Sequence, residues 1–204
     1  MTDAILKKGL WSPRPVAETM ALYANWAETY DKEVLEAGYA MPHRVAAAVA
    51  QFAPQDAIVL DFGCGTGLSG MALQNQGLVH VDGMDISPEM LDIAHSRQIY
   101  REIWQAQPGE MTNVETGLYQ VIVAMGVISL GAAPPETLSL CLSSLEADGL
   151  LALSFNDPTL EDGSYDAALN ATIEAGVVEV LFREHGPHLQ SKNLGSDVIV
   201  LKKL

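Results

Sequence analysis

VLDFGCGTG, at residues 59–67, is a short apolar run that leads into three glycines spaced two apart. Residues 58–60 predict a buried strand and residues 68–76 predict a helix, so the glycines fall on a strand-to-helix turn. Glycine has no Cβ, so at such a turn the backbone amides can face a ligand directly. The turn predicts a binding site for a nucleoside cofactor; the alternative is a glycine turn without a ligand. The three glycines are Gly63, Gly65 and Gly67.

A second predicted strand, at residues 79–84, is followed directly by Asp85. An acid at this place can bind the two ribose hydroxyls of a nucleoside. A nucleotide-dependent oxidoreductase would share the turn and the acid, but its usual fingerprint is G-x-G-x-x-G and residue 68 is Leu. Asp61, which opens the turn, would also repel a dinucleotide pyrophosphate.

The motifs DFGCGTG (61–67) and GMDIS (83–87) resemble the first two motifs of the class I S-adenosylmethionine-dependent methyltransferases. The resemblance implies binding of S-adenosyl-L-methionine and release of S-adenosyl-L-homocysteine. It also implies that Asp61 helps to hold the ammonium of the methionine moiety and that Asp85 binds the ribose. The full set of cofactor-binding residues that it implies is Tyr30, Asp61, Gly63, Cys64, Gly65, Asp85, Ile86, Ala106, Gln107 and Met125.

Two further segments carry the resemblance. WAETYD (26–31) is similar to a segment ahead of the family's core, in which the tyrosine caps the methionine end of the cofactor. Tyr30 is the first candidate for this role and Trp26 is a weaker one. Ordinary helix packing is the alternative explanation for both residues. IYREIWQAQ (99–107) places Gln107 where the family has an acid that accepts a hydrogen bond from the adenine amino group. A Gln carbonyl can accept the same bond.

Gly126 is the clearest departure from the family pattern, which often has an Asp near this position. Without that side chain, either substrate atoms approach the backbone closely or the catalytic group comes from elsewhere. Within the class, the chain looks most like the Williams-Beuren-region-type methyltransferases and related small bacterial enzymes, with residues 25–155 resembling them best. The resemblance implies a methyltransferase without identifying its acceptor.

Strands that alternate with helices predict an α/β fold, a three-layer αβα sandwich around a mainly parallel sheet. One domain is expected over residues 1–204, with N-terminal helices in 1–54 and a Rossmann-like core in 55–204. The two final strands have no helix between them and predict a hairpin. The family resemblance adds seven strands in the order 3-2-1-4-5-7-6 with an antiparallel last strand. Helices are predicted at residues 16–38, 42–52, 88–97, 134–147 and 165–175, and the remaining strands at 100–107, 119–125, 150–155, 177–182 and 197–201.

The composition narrows the expected partners. A net charge of −15 argues against a nucleic-acid partner, because such partners are bound by clustered Lys and Arg. The longest apolar stretch, residues 121–133, is too short to span a bilayer, so no membrane partner is expected. Residues 1–11 lack the apolar region of a signal peptide, and two scattered cysteines fit no disulfide framework. We expect a cytoplasmic monomer or homodimer that acts on a small molecule.

The chemistry of methyl transfer leaves the catalytic residues open. In-line displacement can rely on positioning, so a dedicated acid or base is optional. The candidates on the acceptor side are His185 and His188, in a predicted loop between the last two strands, and Asn156 and Asp157 are comparable. Loop histidines without a role are the alternative, and no metal site is expected because H-x-x-H across a Gly-Pro turn is a poor ligand pair.

The sequence therefore favours an S-adenosylmethionine-dependent methyltransferase that acts on a small-molecule acceptor. Two other functions remain. One is a non-catalytic module that binds S-adenosylmethionine or its product, which would fit the replacements at Gln107 and Gly126. The other is a nucleotide-dependent oxidoreductase, which the N-terminal helices and the closing hairpin disfavour.

Overall fold

A computed structural model describes residues 9–204, and its centre is one mixed β-sheet. The strands are β1 (Ile58–Phe62), β2 (His80–Asp85), β3 (Ile103–Gln105), β4 (Val121–Ala124), β5 (Leu150–Asn156), β6 (Val178–Leu189) and β7 (Leu194–Lys203). Their order is β3-β2-β1-β4-β5-β7-β6, and β7 is antiparallel to both of its neighbours. The predicted fold class is confirmed. Most of the segment in which no signal peptide is expected, residues 1–8, lies outside the described residues.

Helices cover both faces of the sheet and form the two outer layers. They are α1 (Val16–Glu36), α2 (Met41–Val49), α3 (Leu68–Asn75), α4 (Pro88–Ser96), α5 (Thr137–Ser143), α6 (Asp157–Asp162) and α7 (Ser164–Glu174). Successive side chains of a strand point to opposite faces. Leu60 and Ile122 therefore pack with the core around α5, whereas Val59 and Val121 pack with the core around α2.

The sheet order reverses between β1 and β4, which are neighbours although the chain forms β2 and β3 between them. At such a point the connections after the two strands lead to opposite sides and leave a crevice at the carboxyl ends of the strands. The glycine turn follows β1, and Gly126 follows β4. Both features that stand out in the sequence therefore border this crevice.

The closing hairpin is longer than the sequence pattern predicts. The prediction of a loop at residues 184–188 is wrong, because β6 continues through them and includes His185 and His188. The guanidinium of Arg44, from α2, explains why the strands stay paired here. It donates hydrogen bonds to three backbone oxygens of the hairpin, those of Glu184, Pro187 and Ser196. The chain turns only at Gln190–Lys192, a short 3₁₀ segment.

Other predicted elements differ in length. β3 has only three residues, because Tyr100 precedes the strand and turns its hydroxyl towards Asp61. α5 is shorter than the predicted 134–147, and it begins after Pro134 and Pro135. α6 is an addition to the predicted elements. Within residues 9–204, none of the helices has the length and apolar character needed to cross a membrane.

Candidate active site

The glycines of the turn after β1 serve different structural purposes. Their φ angles are +72° at Gly63, +52° at Gly65 and +94° at Gly67. A Cβ at Gly63 would lie 2.4 Å from a methyl carbon of Val127, and Gly67 is the left-handed N-cap of α3. A Cβ at Gly65 would meet no atom within 4 Å, because Gly65 faces an open cavity. Packing and the helix start explain Gly63 and Gly67, whereas Gly65 leaves this part of the cavity open.

Asp85 ends β2 beside the turn and faces the same cavity. Its Oδ2 accepts a hydrogen bond from the Gly65 backbone N–H at 2.9 Å, and its Oδ1 accepts one from the Ser87 backbone N–H at 2.8 Å. Burial raises the pKa of this carboxyl, and the backbone donors act against the rise. Each carboxylate oxygen can accept more than one hydrogen bond, so Asp85 can also accept hydrogen bonds from the hydroxyl groups of a molecule in the cavity.

Asp61 lies beneath the turn with no exposed surface. Its Oδ2 accepts hydrogen bonds from Ser69 Oγ at 2.6 Å and from Tyr100 Oη at 2.7 Å. Its Oδ1 is buried without a hydrogen-bond partner among the described residues. Burial raises the pKa of Asp61 to about 6, although the two hydroxyl bonds lower it. A buried carboxylate with an open oxygen is costly unless a cation or donor reaches it, and an ammonium group meets that need.

A cavity of about 300 Å³ opens at the crevice between β1 and β4. Eight of the ten residues that the family resemblance implies for cofactor binding line it: Tyr30, Gly63, Gly65, Asp85, Ile86, Ala106, Gln107 and Met125. The other two, Asp61 and Cys64, lie behind the lining. Burial raises the pKa of the Cys64 thiol well above its usual range, and this thiol packs beside Gly83. Cys64 is therefore a packing residue in this structure.

Helix α1 forms one wall of the cavity. Four of its residues line the cavity, namely Val16, Thr19, Tyr23 and Tyr30. Trp26 lies behind Tyr30, with the two ring centroids 4.7 Å apart in an edge-to-face arrangement, and is almost fully buried. Packing therefore accounts for Trp26, which holds Tyr30 against the cavity.

A polar tie joins α1 to the glycine turn. Asp31 Oδ1 accepts a hydrogen bond from Thr66 Oγ1 at 2.5 Å, and Asp31 Oδ2 forms an ion pair with Arg97. The Arg97 Nε–H also donates to the backbone oxygen of Thr66 at 2.6 Å. The helix that carries Tyr30 is thus fixed to the turn by the next residue along the chain.

The acceptor-side candidates from the sequence do not line the cavity. His188 is buried behind Tyr39, with the ring centroids 5.3 Å apart, and burial lowers its pKa to about 4. The exposed ring of His185 lies 2.9 Å from Asp197 through Nδ1. Asn156 caps α6, and Asp157 accepts a hydrogen bond from the Gly195 N–H at 2.7 Å. These four residues hold the hairpin and α6 in place, and their positions do not support a role at the acceptor.

Sequence reasoning missed Tyr39, which lines the cavity between α1 and α2. Its hydroxyl lies 3.1 Å from the place that a Cβ at Gly126 would take. No local pattern could have revealed this contact, because the two residues are brought together only by the fold. The sequence does indicate Tyr23, because this residue precedes Tyr30 by two helical turns and therefore lies on the same face of the helix.

Comparison with known proteins places this geometry in a family. The model of a methyltransferase domain matches residues 34–197. Human Methyltransferase-like protein 27 is 28% identical over 165 residues, which are 78% of this chain and 66% of the human protein. Bovine 18S rRNA (guanine-N(7))-methyltransferase is 37% identical over 70 residues, or 34% of this chain and 25% of that protein. The chain thus spans less than two thirds of either relative.

The fold has counterparts among solved structures. A TehB-like SAM-dependent methyltransferase from Corynebacterium glutamicum superimposes with a TM-score of 0.62 at 24% sequence identity. The match covers 90% of this chain and 99% of that one, so the whole architecture is shared. The sequence motifs, the cavity at the switch point and the family match agree, and the chain belongs to the methyltransferase domain family.

Proposed function

We propose that the protein binds S-adenosyl-L-methionine in the cavity and transfers its methyl group to a small-molecule acceptor, with S-adenosyl-L-homocysteine as the second product. The observation that carries the proposal is the buried Oδ1 of Asp61, which has no hydrogen-bond partner among the described residues and belongs to a residue behind the lining of the open space at Gly65. A cationic amino group beside that space gives the carboxylate the partner that it lacks.

The residues around the cavity fit the remaining parts of this cofactor. Asp85 offers acceptor capacity for two ribose hydroxyls, and Gly65 leaves room for the backbone to approach the nucleoside. Ile86 and Ala106 supply apolar surface for the adenine, and the exposed Gln107 can bond its edge. Tyr30 covers the methionine end from α1. The cofactor supplies an electrophilic methyl group on a sulfonium.

The protein's own contribution is positioning and the exclusion of water. Most side chains that line the cavity are apolar, among them Val16, Met125 and Val127. A nucleophile held there is desolvated and kept close to the methyl group, which favours in-line displacement. Displacement by a nucleophile that is already deprotonated requires no proton transfer by a side chain, in agreement with the position of both candidate histidines away from the cavity.

The acceptor is proposed to be a small molecule. A cavity of about 300 Å³ that is walled by α1, together with a net charge of −15, favours a small acceptor over a nucleic acid. The bovine relative is named for an rRNA guanine, so RNA is the alternative that the test must include. A closer relationship to the Williams-Beuren-region-type enzymes is part of the proposal and is supported by the motifs alone.

Calorimetry and a transfer assay test the proposal in sequence. We expect S-adenosylmethionine and S-adenosylhomocysteine to bind at micromolar concentrations and NADH not to bind. Methyl-tritiated cofactor, incubated with lysate fractions separated into small molecules, RNA and protein, should then label the small-molecule fraction. Labelling of RNA instead would show that the acceptor is RNA and not a small molecule. Cofactor binding without any labelled product would identify a non-catalytic module. Binding of NADH alone would favour the oxidoreductase.

A further inference from the structure

A tyrosine hydroxyl borders the space beside Gly126. The Gly126 backbone has a φ of +74°, and its N–H donates to Ser154 Oγ at 3.1 Å, so its position is fixed. A Cβ at this residue would meet the Tyr39 hydroxyl and Met41 Cε, each at 3.1 Å. Tyr39 therefore brings a polar group to the place where a side chain at position 126 would begin.

The tyrosines of this part of the cavity are hydrogen-bonding groups and not bases. Burial raises the pKa of Tyr23 to about 12 and raises those of Tyr30 and Tyr39 further, so all three stay protonated at neutral pH. The hydroxyls of Tyr30 and Tyr39 also interact with each other. His188, which packs on the Tyr39 ring, is kept neutral by burial and lies outside the cavity.

The acidic side chains that line the cavity either accept hydrogen bonds from the backbone or are exposed to solvent. Asp85 holds two backbone amides, and Glu110 and Glu136 are exposed at its edge. The lining residues next to Gly126 can thus donate hydrogen bonds to a nucleophile, but they are poorly suited to remove a proton from it. An alcohol, a phenol or an ammonium group would need such a base before it could attack.

We infer that the methyl acceptor is a carboxylate and that the Tyr39 hydroxyl positions it by donating a hydrogen bond beside Gly126. This inference rests on the proposed methyl transfer. The acceptor oxygen forms a bond to the methyl carbon while the bond from that carbon to sulfur breaks, and its electron pair stays on sulfur. The products are a methyl ester and a thioether, and no proton is gained or lost.

Electrostatics favour this pairing over a neutral acceptor. A carboxylate is ionised at neutral pH, so it is ready to attack without deprotonation. Its charge and that of the sulfonium disappear together, and the loss of two opposite charges is favourable in a cavity with little water.

The chemical class of the product tests the acceptor assignment. Label transferred from methyl-tritiated S-adenosylmethionine to small molecules of the source-cell lysate should become volatile methanol on treatment with base, as methyl esters do. Label that survives base would overturn the carboxylate assignment and leave the proposed methyl transfer intact. Cofactor binding without any transfer to small molecules would overturn both.

Equilibrium binding tests Tyr39 without turnover. Protein saturated with sinefungin, an unreactive analogue with an ammonium group near the sulfonium position, should bind 3-phenylpropanoate about tenfold more tightly than 3-phenylpropanamide in ligand-observed NMR. Tyr39→Phe keeps the ring on His188 and should abolish most of this preference. Tyr119→Phe removes a hydroxyl that bonds Asp82 outside the cavity and should leave the preference unchanged. Equal affinity for the two probes, or a preference that survives Tyr39→Phe, would overturn the inference.

Kinetics separate positioning from a structural role. With the base-labile acceptor in hand, Tyr39→Phe should lower kcat/KM about tenfold, mainly through a higher KM, while the cofactor Kd stays unchanged. Tyr119→Phe should change neither constant more than about twofold. A rise in the cofactor Kd of Tyr39→Phe that accounts for the whole loss of activity would show that Tyr39 acts on the cofactor instead of the acceptor.

Discussion

The two halves of the cavity are built in different ways. The half proposed to bind the cofactor, here called the cofactor half, consists mainly of the glycine turn, Asp85 and the end of β3 at residues 61–107, with Tyr30 and Met125 at its border. The half proposed to bind the acceptor, here called the acceptor half, consists of the rest of the α1 wall, Tyr39 and residues 126–137, which come from distant parts of the chain. Backbone hydrogen bonds shape the first half, whereas side chains from separate elements shape the second. A binding site made from one continuous strand-turn-helix-strand unit can be recognised from sequence, but a site assembled by packing cannot.

The halves also differ in the role of charge. Asp61 and Asp85 place two carboxyls in or beneath the cofactor half, where burial raises the pKa of both. The acceptor half offers tyrosine hydroxyls that stay neutral, and its lining carboxyl, that of Glu136, is exposed at the edge. Substitutions in the cofactor half should therefore change affinity for the cofactor strongly, and those in the acceptor half should change it little.

Gly65→Val should have the largest effect, a loss of cofactor affinity of more than about 100-fold in calorimetry, because the new side chain enters the open cavity. The φ of +52° at Gly65 also predicts a loss of about 1–2 kcal/mol in unfolding free energy. Gly77→Val is the matched control, since Gly77 has a φ of +88° and open space around its Cβ position but lies outside the cavity. It should show a similar loss of stability with unchanged affinity. Equal losses of affinity in both variants would mean that backbone strain, and not the cavity, explains Gly65.

Asp85→Ala should weaken cofactor binding by more than about tenfold, as expected for the loss of hydrogen bonds to a charged group worth roughly 1.5–3 kcal/mol. The variant also leaves the Gly65 and Ser87 amides without their acceptor, so its thermal unfolding midpoint should fall. Asp82→Ala, in the same strand, removes an ion pair with Arg101 and should lower stability while affinity stays within about twofold. Affinity that is unchanged in Asp85→Ala would refute the ribose assignment.

Asp61 predicts a pH dependence of cofactor binding. An ammonium pairs with the ionised carboxylate, and with a pKa of about 6 the binding-competent fraction falls as pH drops. Affinity should therefore be roughly tenfold weaker at pH 5 than at pH 7, a range in which the cofactor's amino group stays protonated. Asp61→Asn should bind more weakly at pH 7 and give a flat profile in calorimetry. A slope that persists in Asp61→Asn would assign the titration to another group.

The raised pKa of Asp61 also predicts how the stability of the ligand-free protein changes with pH. Between about pH 4 and pH 6 the unfolded chain ionises this carboxyl while the folded state retains its proton. The folded state binds more protons there, so the contribution of Asp61 to unfolding free energy falls as pH rises. In denaturant titrations at pH 4 and pH 6, the change in unfolding free energy on raising the pH should be less favourable in the parent than in Asp61→Asn, and the difference is the contribution of Asp61.

What the sequence could predict follows the same division. The turn follows from a local pattern, because it depends on residues that are close along the chain. The order of the sheet follows from the family resemblance and is confirmed, whereas the ribose-binding role of Asp85 stays a prediction. The extension of β6 through His185 and His188 depends on Arg44, more than 130 residues earlier in the chain, and no periodicity encodes that contact. Tyr39 is missed for the same reason, since its partner Gly126 lies on another element.

Asp31→Asn should have the smallest effect, because Asp31 ties α1 to the glycine turn without lining the cavity. Loss of a charged partner for Thr66 and Arg97 should let α1 move away more often, and the cofactor should dissociate about threefold to tenfold faster in stopped-flow measurements. Asp166→Asn is the control. It breaks an ion pair between Asp166 on α7 and Arg183 on β6 and should not change the dissociation rate. If the dissociation rate is unchanged in both variants, then Trp26 and its apolar neighbours alone hold α1 over the cavity. In that case apolar packing positions the acceptor half even where it meets the cofactor half.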